Sequence, residues 1–187
     1  MSLKKFLKEN CHELNCFYPV YRDGANAVEF IFEGGRMESK YRRIKTVKMA
    51  FARVFNIDSD AQRDKYQELF ARTNSLPLVL HRELVLVPVK TRKDIPKDDG
   101  SWGYMILNKY ASSEPTAAGT RITFQDGSTM ESFFQRSTVI DYLQCAETCL
   151  AHFKRDSGLS TNAVREVEVP DGYALVNIRT LKKLSSD

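Results

Sequence analysis

Positively charged side chains are concentrated in one short part of this 187-residue sequence, between residues 36 and 53. Seven cations lie there with one acid, Glu38, so the segment carries a local charge of +6. The whole chain carries +4, and the other residues therefore sum to −2. The cations are Arg36, Lys40, Arg42, Arg43, Lys45, Lys48 and Arg53. Charge concentrated in this way predicts binding to a polyanion, whose phosphates such groups neutralise.

A second basic cluster lies between residues 90 and 97, where the only acid is Asp94. It contains Lys90, Arg92, Lys93 and Lys97. This smaller patch is of the kind that can extend an electrostatic footprint for a polyanion.

Four cysteines and three histidines are further candidates for chemistry. Cys145 and Cys149 are one helical turn apart and His152 follows, so these residues can be drawn as three ligands of a metal site. We favour the alternative that both thiols share the apolar face of a helix with Tyr142 and Ala146, because reduced cysteine behaves as a small apolar side chain. The thiols are expected to be reduced, as in the cytosol.

Motifs of common enzyme and cofactor sites are absent from the sequence. It contains no P-loop, no dinucleotide-binding glycine fingerprint, no HExxH and no GxSxG. His81 stands alone, and Cys11, His12 and Cys16 show no CxxC spacing. We therefore expect neither an enzyme nor a protein with a metal or organic cofactor.

An amphipathic helix predicted over residues 44–57 would position the first basic cluster. Its apolar side chains fall on one face about 100° wide, formed by Ile44, Val47, Phe51, Val54 and Phe55. Lys45, Lys48 and Arg53 fall outside that face. Such a helix can simply carry a solvated charged face. A membrane-surface helix is disfavoured because the segment has no tryptophan.

The rest of the chain predicts short strands and three further helices. We expect helices at residues 3–10, from Asp58 or Ser59 to Arg72, and at 138–155 after a Ser137 cap, and strands within 16–32, 76–91, 102–110 and 121–134. Turn signals are Asp23-Gly24 and Asp126-Gly127, and Pro77 and Pro88 restrict their strands to edges or ends. Residues 165–184 predict one or two strands or a short helix.

These elements predict an α+β fold with a mixed, largely antiparallel sheet and a few helices. We expect a single domain over residues 1–187, with sub-lobes 1–75 and 76–187 as a possible division. With 42% hydrophobic and 28% charged residues, the composition is that of an ordinary globular chain. No run of 18 apolar residues predicts a membrane span, and no secretory signal is recognised at the start.

The second half of the chain resembles the competence transcription factor ComK family of Gram-positive bacteria. The order of "LPLVL", "LVLVPVKTR", "GSWGYMI" and "TRITFQDGSTMESFFQRST" carries the resemblance, which spans residues 45 to 155. The matching positions are Pro77, Pro88, Thr91, Arg92, Gly100, Trp102, Thr123, Phe124, Gly127, Thr129, Met130 and Ser137. Ser101 between the glycine and the tryptophan departs from the family pattern.

The resemblance implies a sequence-specific transcriptional activator that reads AT-rich double-stranded DNA mainly through the minor groove. It further implies a homodimer or dimer of dimers on DNA, contact with the transcription machinery, and a cytoplasmic, nucleoid-associated protein without a membrane partner. The candidate nucleic-acid contacts are Arg42, Arg43, Lys45, Lys48, Arg53, Lys90, Arg92 and Lys93. Arg92 matches the family's "TR" position and is our preferred candidate for insertion into a narrow groove.

Two alternatives use the same basic segment, residues 40–55. One is a protein-interaction module that grips an acidic partner. The other is an RNA-binding module that stacks unpaired bases on sheet aromatics such as Phe17, Tyr18, Tyr104 or Tyr110. No RNP1-type pattern supports the latter.

Overall fold

The computed structural model describes residues 1–70, 75–93 and 100–158, which form four α-helices and nine β-strands. In chain order these are α1 (Leu3–Asn10), β1 (Leu14–Arg22), β2 (Ala25–Phe32), β3 (Met37–Lys40), α2 (Ile44–Val54), α3 (Ser59–Phe70), β4 (Leu78–His81), β5 (Leu84–Lys90), β6 (Trp102–Ile106), β7 (Tyr110–Thr116), β8 (Gly119–Phe124), β9 (Thr129–Ser132) and α4 (Arg136–Asp156). Three predictions concern residues outside the described ranges: Lys97 of the second basic cluster, the helix end at Arg72, and the strands or helix over residues 165–184.

Local side-chain chemistry explains several element boundaries. Asp23 and Gly24 connect β1 to β2 with positive φ angles of 50° and 73°, which a two-residue hairpin turn of the favoured hand requires. Asp58 caps α3, because its Oδ1 accepts hydrogen bonds from the amides of Asp60 and Ala61, both at 3.0 Å. The predicted hairpin turn is therefore confirmed, and of the two residues predicted as caps, Asp58 or Ser59, the structure uses Asp58.

The described strands form two antiparallel sheets. The larger sheet has the order β3-β2-β1-β6-β5-β4, and the smaller has the order β7-β8-β9. At the centre of the larger sheet, β1 pairs with β6 through Cys16–Met105 and Phe17–Tyr104. Strands from before and after residue 75 thus share one sheet, and the predicted α+β class with largely antiparallel sheet is confirmed.

Both faces of the larger sheet are covered, and side chains alternate between them along each strand. Phe17 and Leu86 belong to the core beneath α1 and α2. Their neighbours Cys16 and Val87 belong to the core that faces the smaller sheet and α4. Phe51 anchors α2, since its ring stacks on Phe17 with 5.1 Å between centroids. The sheet is therefore the middle layer, and α2 is fixed on its outer side.

A hydrogen-bonded cluster ties the β8–β9 turn to the larger sheet. Buried Asn15 donates to Asp126 Oδ2 at 3.0 Å and to Ser128 Oγ at 2.9 Å. The Gly34 amide also donates to Asp126, at 2.8 Å. Burial opposes ionisation of Asp126, but hydrogen bonds from Ser128, Asn15 and Gly34 outweigh it and lower the pKa of the carboxyl. This carboxylate therefore helps to join the two sheets in its charged form.

Two short strands, β3 and β7, were not predicted from the sequence. Their sequences, MESK and YASSEPT, are polar, and most of their side chains are exposed or half-buried. Both lie at sheet edges. Such strands lack the apolar alternation that a sequence pattern detects, because little of them faces a core.

Two helix boundaries differ from the predictions. The prediction that Ser137 caps the last helix is wrong, because α4 begins at Arg136 and its N-cap residue is Gln135, which makes no side-chain capping bond. The basic helix ends at Val54 rather than at residue 57. Asn56 follows with a φ of 54°, a left-handed conformation that stops a helix.

Cys145 and Cys149 lie on the apolar face of α4 and are buried in the core together with Ala146, as predicted. Hydrogen bonding to Cys145 and burial raise the pKa of the Cys149 thiol. Within residues 1–70, 75–93 and 100–158, no three His, Cys, Asp or Glu side chains are grouped so as to hold a metal ion. No helix in these ranges has the length and apolar character needed to span a bilayer.

Candidate nucleic-acid interface

The two basic clusters, which are distant in the sequence, meet at one end of the larger sheet. β5 ends there at Lys90, which pairs with Trp102 at the start of β6. The amides of Thr91 and Arg92 then donate to the Ser101 carbonyl, at 2.9 and 3.3 Å. The second cluster is thus held by backbone hydrogen bonds to the chain that leads into β6.

The first cluster reaches the same end because α2 begins there. A Cβ added to Gly100 would lie 2.7 Å from Cγ2 of Ile44, the first residue of α2. Arg42, Arg43 and Lys45 surround this start, and all three side chains are exposed. We call the surface formed by Arg42, Arg43, Lys45, Lys90 and Lys93 the basic end.

The apolar face of α2 holds Lys45 in the solvent and fixes the helix start that Arg42 and Arg43 precede. Ile44, Val47 and Phe51 are buried against the sheet, which confirms the predicted stripe, and Val54 and Phe55 pack at its margin. A helix fixed on one side must direct its opposite side outward. The placement of the exposed charges is therefore a consequence of the apolar spacing.

The cations of the basic end have no carboxylate partner among the described residues. Elsewhere many cations are paired, as in Arg22–Glu29 at 3.0 Å and Arg121–Glu131 at 2.8 Å. Arg42 donates from Nη1 to the Tyr41 carbonyl, at 2.8 Å, which leaves its charge uncompensated. Uncompensated cations on one surface create a field that attracts anions.

Three predicted contacts do not join this surface, and two of them, Lys48 and Arg53, are on α2. Lys48 is half-buried on α2, with its ammonium 5.8 Å from the centroid of the Tyr104 ring. Burial is the main cause of a lowered pKa at Lys48. The charge of nearby Arg63 lowers this pKa further, whereas the charge of Asp60 raises it. Arg53 is exposed in the last turn of α2, at the far end of the helix. The structure therefore divides the basic helix into a charged start and a separate far end.

Arg92 and Lys93 are placed differently although they are adjacent. Arg92 is only 9% exposed, and its guanidinium carbon lies 3.8 Å from the centroid of the Tyr21 ring. Lys93 is exposed, with its ammonium 4.6 Å from the centroid of the Phe133 ring. Arg92 thus stacks on the end of β1, whereas Lys93 projects to the surface.

Sequence reasoning missed a neighbouring cation, Arg136. It is exposed at the start of α4, and its Nε donates to the Ser113 carbonyl at 2.8 Å. Arg136 and Lys93 both line an open groove of about 510 Å³ beside the β7–β8 turn. No sequence signal links these residues, because 42 positions separate them and only the packing of α4 brings them together.

Aromatic side chains that an RNA-binding sheet would expose are largely covered. Phe17 is fully buried and Tyr104 is 9% exposed, both beneath α2. Tyr18 and Tyr110 are half-buried against the second core. Burial raises the pKa of Tyr18 to about 12, with smaller contributions from Glu29 and Cys16. The larger sheet therefore presents no open row of rings for stacking bases.

Comparisons with known proteins assign no function to this surface. No family model, no curated protein and no solved structure matches the chain. The resemblance to the ComK family thus rests on the sequence motifs alone. Any function assigned to the basic end has to be argued from its own residues.

Proposed function

We propose that this protein binds double-stranded DNA with its basic end. The observation that carries the proposal is that members of two distant clusters meet at one end of the larger sheet as the basic end, whose five cations have no carboxylate partner among the described residues. Each phosphate that such a cation neutralises releases condensed counterions, which favours binding and makes it salt-dependent. A packed helix and backbone hydrogen bonds already fix the backbone that carries these cations, so binding has to order only their side chains.

A duplex suits this surface better than a single strand. Proteins that hold unpaired bases combine positive charge with exposed aromatic platforms. The four stacking candidates, Phe17, Tyr18, Tyr104 and Tyr110, are buried or half-buried here. Cations on a fixed backbone suit the regular phosphates of a duplex. This difference favours DNA over the RNA-binding alternative.

The finer part of the proposal is that the protein is a transcriptional activator of the ComK type, reading AT-rich boxes in the nucleoid. A-tracts have a narrow minor groove whose negative potential attracts arginine. Arg42 and Arg43, which are exposed just before α2, are well placed to enter such a groove. Arg92 could enter only if its guanidinium left the Tyr21 ring. We assign Lys45, Lys90 and Lys93 to phosphates.

A matched pair of triple variants tests the surface. Arg42→Gln, Arg43→Gln and Lys45→Gln together remove three charges from the basic end. The control removes three charges elsewhere, with Lys8→Gln on α1 and Lys154→Gln and Arg155→Gln at the end of α4.

Duplex affinity is then measured over a range of salt concentrations. For contacts from the five cations of the basic end we expect wild-type affinity to fall about 500-fold between roughly 50 and 200 mM salt. The basic-end variant should bind far more weakly and with a shallower salt slope, by about 0.9 for each lost contact. Equal losses in both triple variants, or a flat salt response, would refute the proposed interface.

Base analogues test the choice of groove. Inosine·C resembles A·T in the minor groove but G·C in the major groove. We expect inosine·C boxes to keep most of the affinity of AT-rich boxes, and G·C boxes to lose about 1 to 3 kcal/mol per pair. Equal loss with inosine·C would instead indicate major-groove reading, with the start of α2 as the element to place there. Preference for single-stranded RNA would favour the RNA-binding alternative.

A further inference from the structure

The free edge of the larger sheet, β3, has main-chain groups available for another strand. β3 is the terminal strand of the order and pairs only with β2 among the described strands. The Phe32 amide donates to the Arg36 carbonyl at 2.9 Å, so Arg36 faces β2. Because this direction alternates along an antiparallel strand, Met37 and Ser39 direct their main-chain groups outward.

We propose that two copies of this chain pair through β3, antiparallel about a two-fold axis at Ser39. In two registers, the outward main-chain groups of β3 form hydrogen bonds with the second copy, and three residues of each β3 are paired with the β3 of the other copy. The register centred on Glu38 places two Glu38 side chains opposite each other, which is repulsive. The register centred on Ser39 places each Glu38 opposite Lys40 of the second copy, which is attractive. Glu38 already pairs with Arg36 and Lys40 of its own strand. The second register adds Lys40 of the other copy as a further partner, whereas the first adds a second acid, so charge complementarity favours the second register.

Exposed apolar side chains gather at the same edge. Among the described residues, large exposed apolar side chains are few, and three of them are at this edge: Met37 begins β3, Tyr41 follows it, and Met1 lies beside Ser39. In the chosen register Met37 of one copy lies beside Tyr41 of the other. Met1 and Leu3 line a groove of about 240 Å³ along Ser39 and Lys40. Pairing of two copies would remove this apolar surface from water.

The same two-fold axis relates the α2 helices of the two copies. What this arrangement means for DNA rests on the proposed function. α2 lies over β1 and β6, as Phe51 stacks on Phe17 and Lys48 approaches Tyr104. Across the axis, the two helices are on one face of a continuous sheet and six strand spacings apart, or about 29 Å. Because the axis is perpendicular to the sheet, the two basic ends lie at opposite ends of the strands, and a duplex that contacts both copies has to cross the face that carries the α2 helices. The helix spacing approaches the repeat of about 34 Å in B-DNA, which such a crossing requires.

Sedimentation of the full chain without DNA tests the pairing independently of DNA binding. We expect a reversible dimer. Glu38→Lys should weaken it about tenfold by opposing two lysines across each pair, and adding Lys40→Glu should restore it. Glu83→Lys is the control, because Glu83 is in an exposed ion pair with Arg82 at the opposite edge.

A second variant addresses the backbone directly. Ser39→Pro removes an outward amide and leaves the pairing with β2 intact, so we expect a folded monomer, verified by circular dichroism and urea unfolding. A wild-type chain that stays monomeric up to millimolar concentration would overturn the proposal. So would a dimer that tolerates both Glu38→Lys and Ser39→Pro. A dimer that the double charge swap fails to restore would overturn the register.

Discussion

Replacing Phe51 with alanine tests whether the apolar face of α2 is what holds the basic end in place. The Phe51 side chain is fully buried, and its ring stacks on Phe17 with 5.1 Å between centroids. Truncation of a buried phenylalanine to alanine costs about 3–5 kcal/mol, and loss of a ring pair adds to the transfer term. We therefore expect the free energy of unfolding to fall by about 4 kcal/mol.

Urea unfolding followed by fluorescence measures this loss, since the chain contains a single tryptophan. Trp102 packs against Phe134 and Tyr142, with ring centroids 5.4 and 6.1 Å away, so its emission should report unfolding. Lys45→Ala, on the exposed side of the same helix, is the control. It should change stability by less than about 0.5 kcal/mol while weakening DNA binding.

The two variants thus separate folding from binding. If Phe51→Ala lowers the free energy of unfolding by less than about 1 kcal/mol, the packing argument is refuted. So small a loss would mean that the Phe51 ring makes little contact with the core. An equal loss of stability in Lys45→Ala would show that the basic side of α2 is itself part of the fold.

Three further predictions concern the second sheet and α4. Because the Asp126 pKa is lowered, its contribution to stability should be present above about pH 4 and lost as pH falls; Asp126→Asn should flatten that acid loss in urea titrations at several pH values. Gly119→Ala should lower the melting temperature sharply, since the new Cβ would lie 2.1 Å from the Ser132 carbonyl oxygen; an unchanged melting temperature would contradict this close approach. Cys145→Ala and Cys149→Ala should each cost about 1 kcal/mol without changing zinc content, and stoichiometric zinc lost in the double variant would show a metal site.

The fold class and most elements could be predicted because their signals are local. The Ile44, Val47 and Phe51 spacing gave α2, and the Asp23-Gly24 pair gave the first hairpin. β3 and β7 escaped because edge strands need no apolar alternation. The α4 start was misplaced because Ser137 is a good cap by type, whereas the structure begins the helix after Gln135 without a side-chain bond.

The candidate site was predicted as a set of residues but not as a surface. Arg42, Arg43, Lys45, Lys90 and Lys93 come together because β5, β6 and the start of α2 share one end of the sheet. Charge counting cannot distinguish Arg42, Arg43 and Lys45 from Lys48 and Arg53, which are in the same segment but lie apart from this surface. It also cannot find Arg136, whose neighbours come from distant parts of the chain.

By itself, the sequence determined which helix face is apolar, which segments are basic and which turns reverse the chain. These properties depend on residues a few positions apart, whose relative directions follow from helix and strand periodicity. Only the tertiary structure decided that the two basic clusters adjoin, that Arg92 stacks on Tyr21, and that β3 remains an open edge. Those facts depend on strand order and on packing between distant segments, which no local spacing encodes.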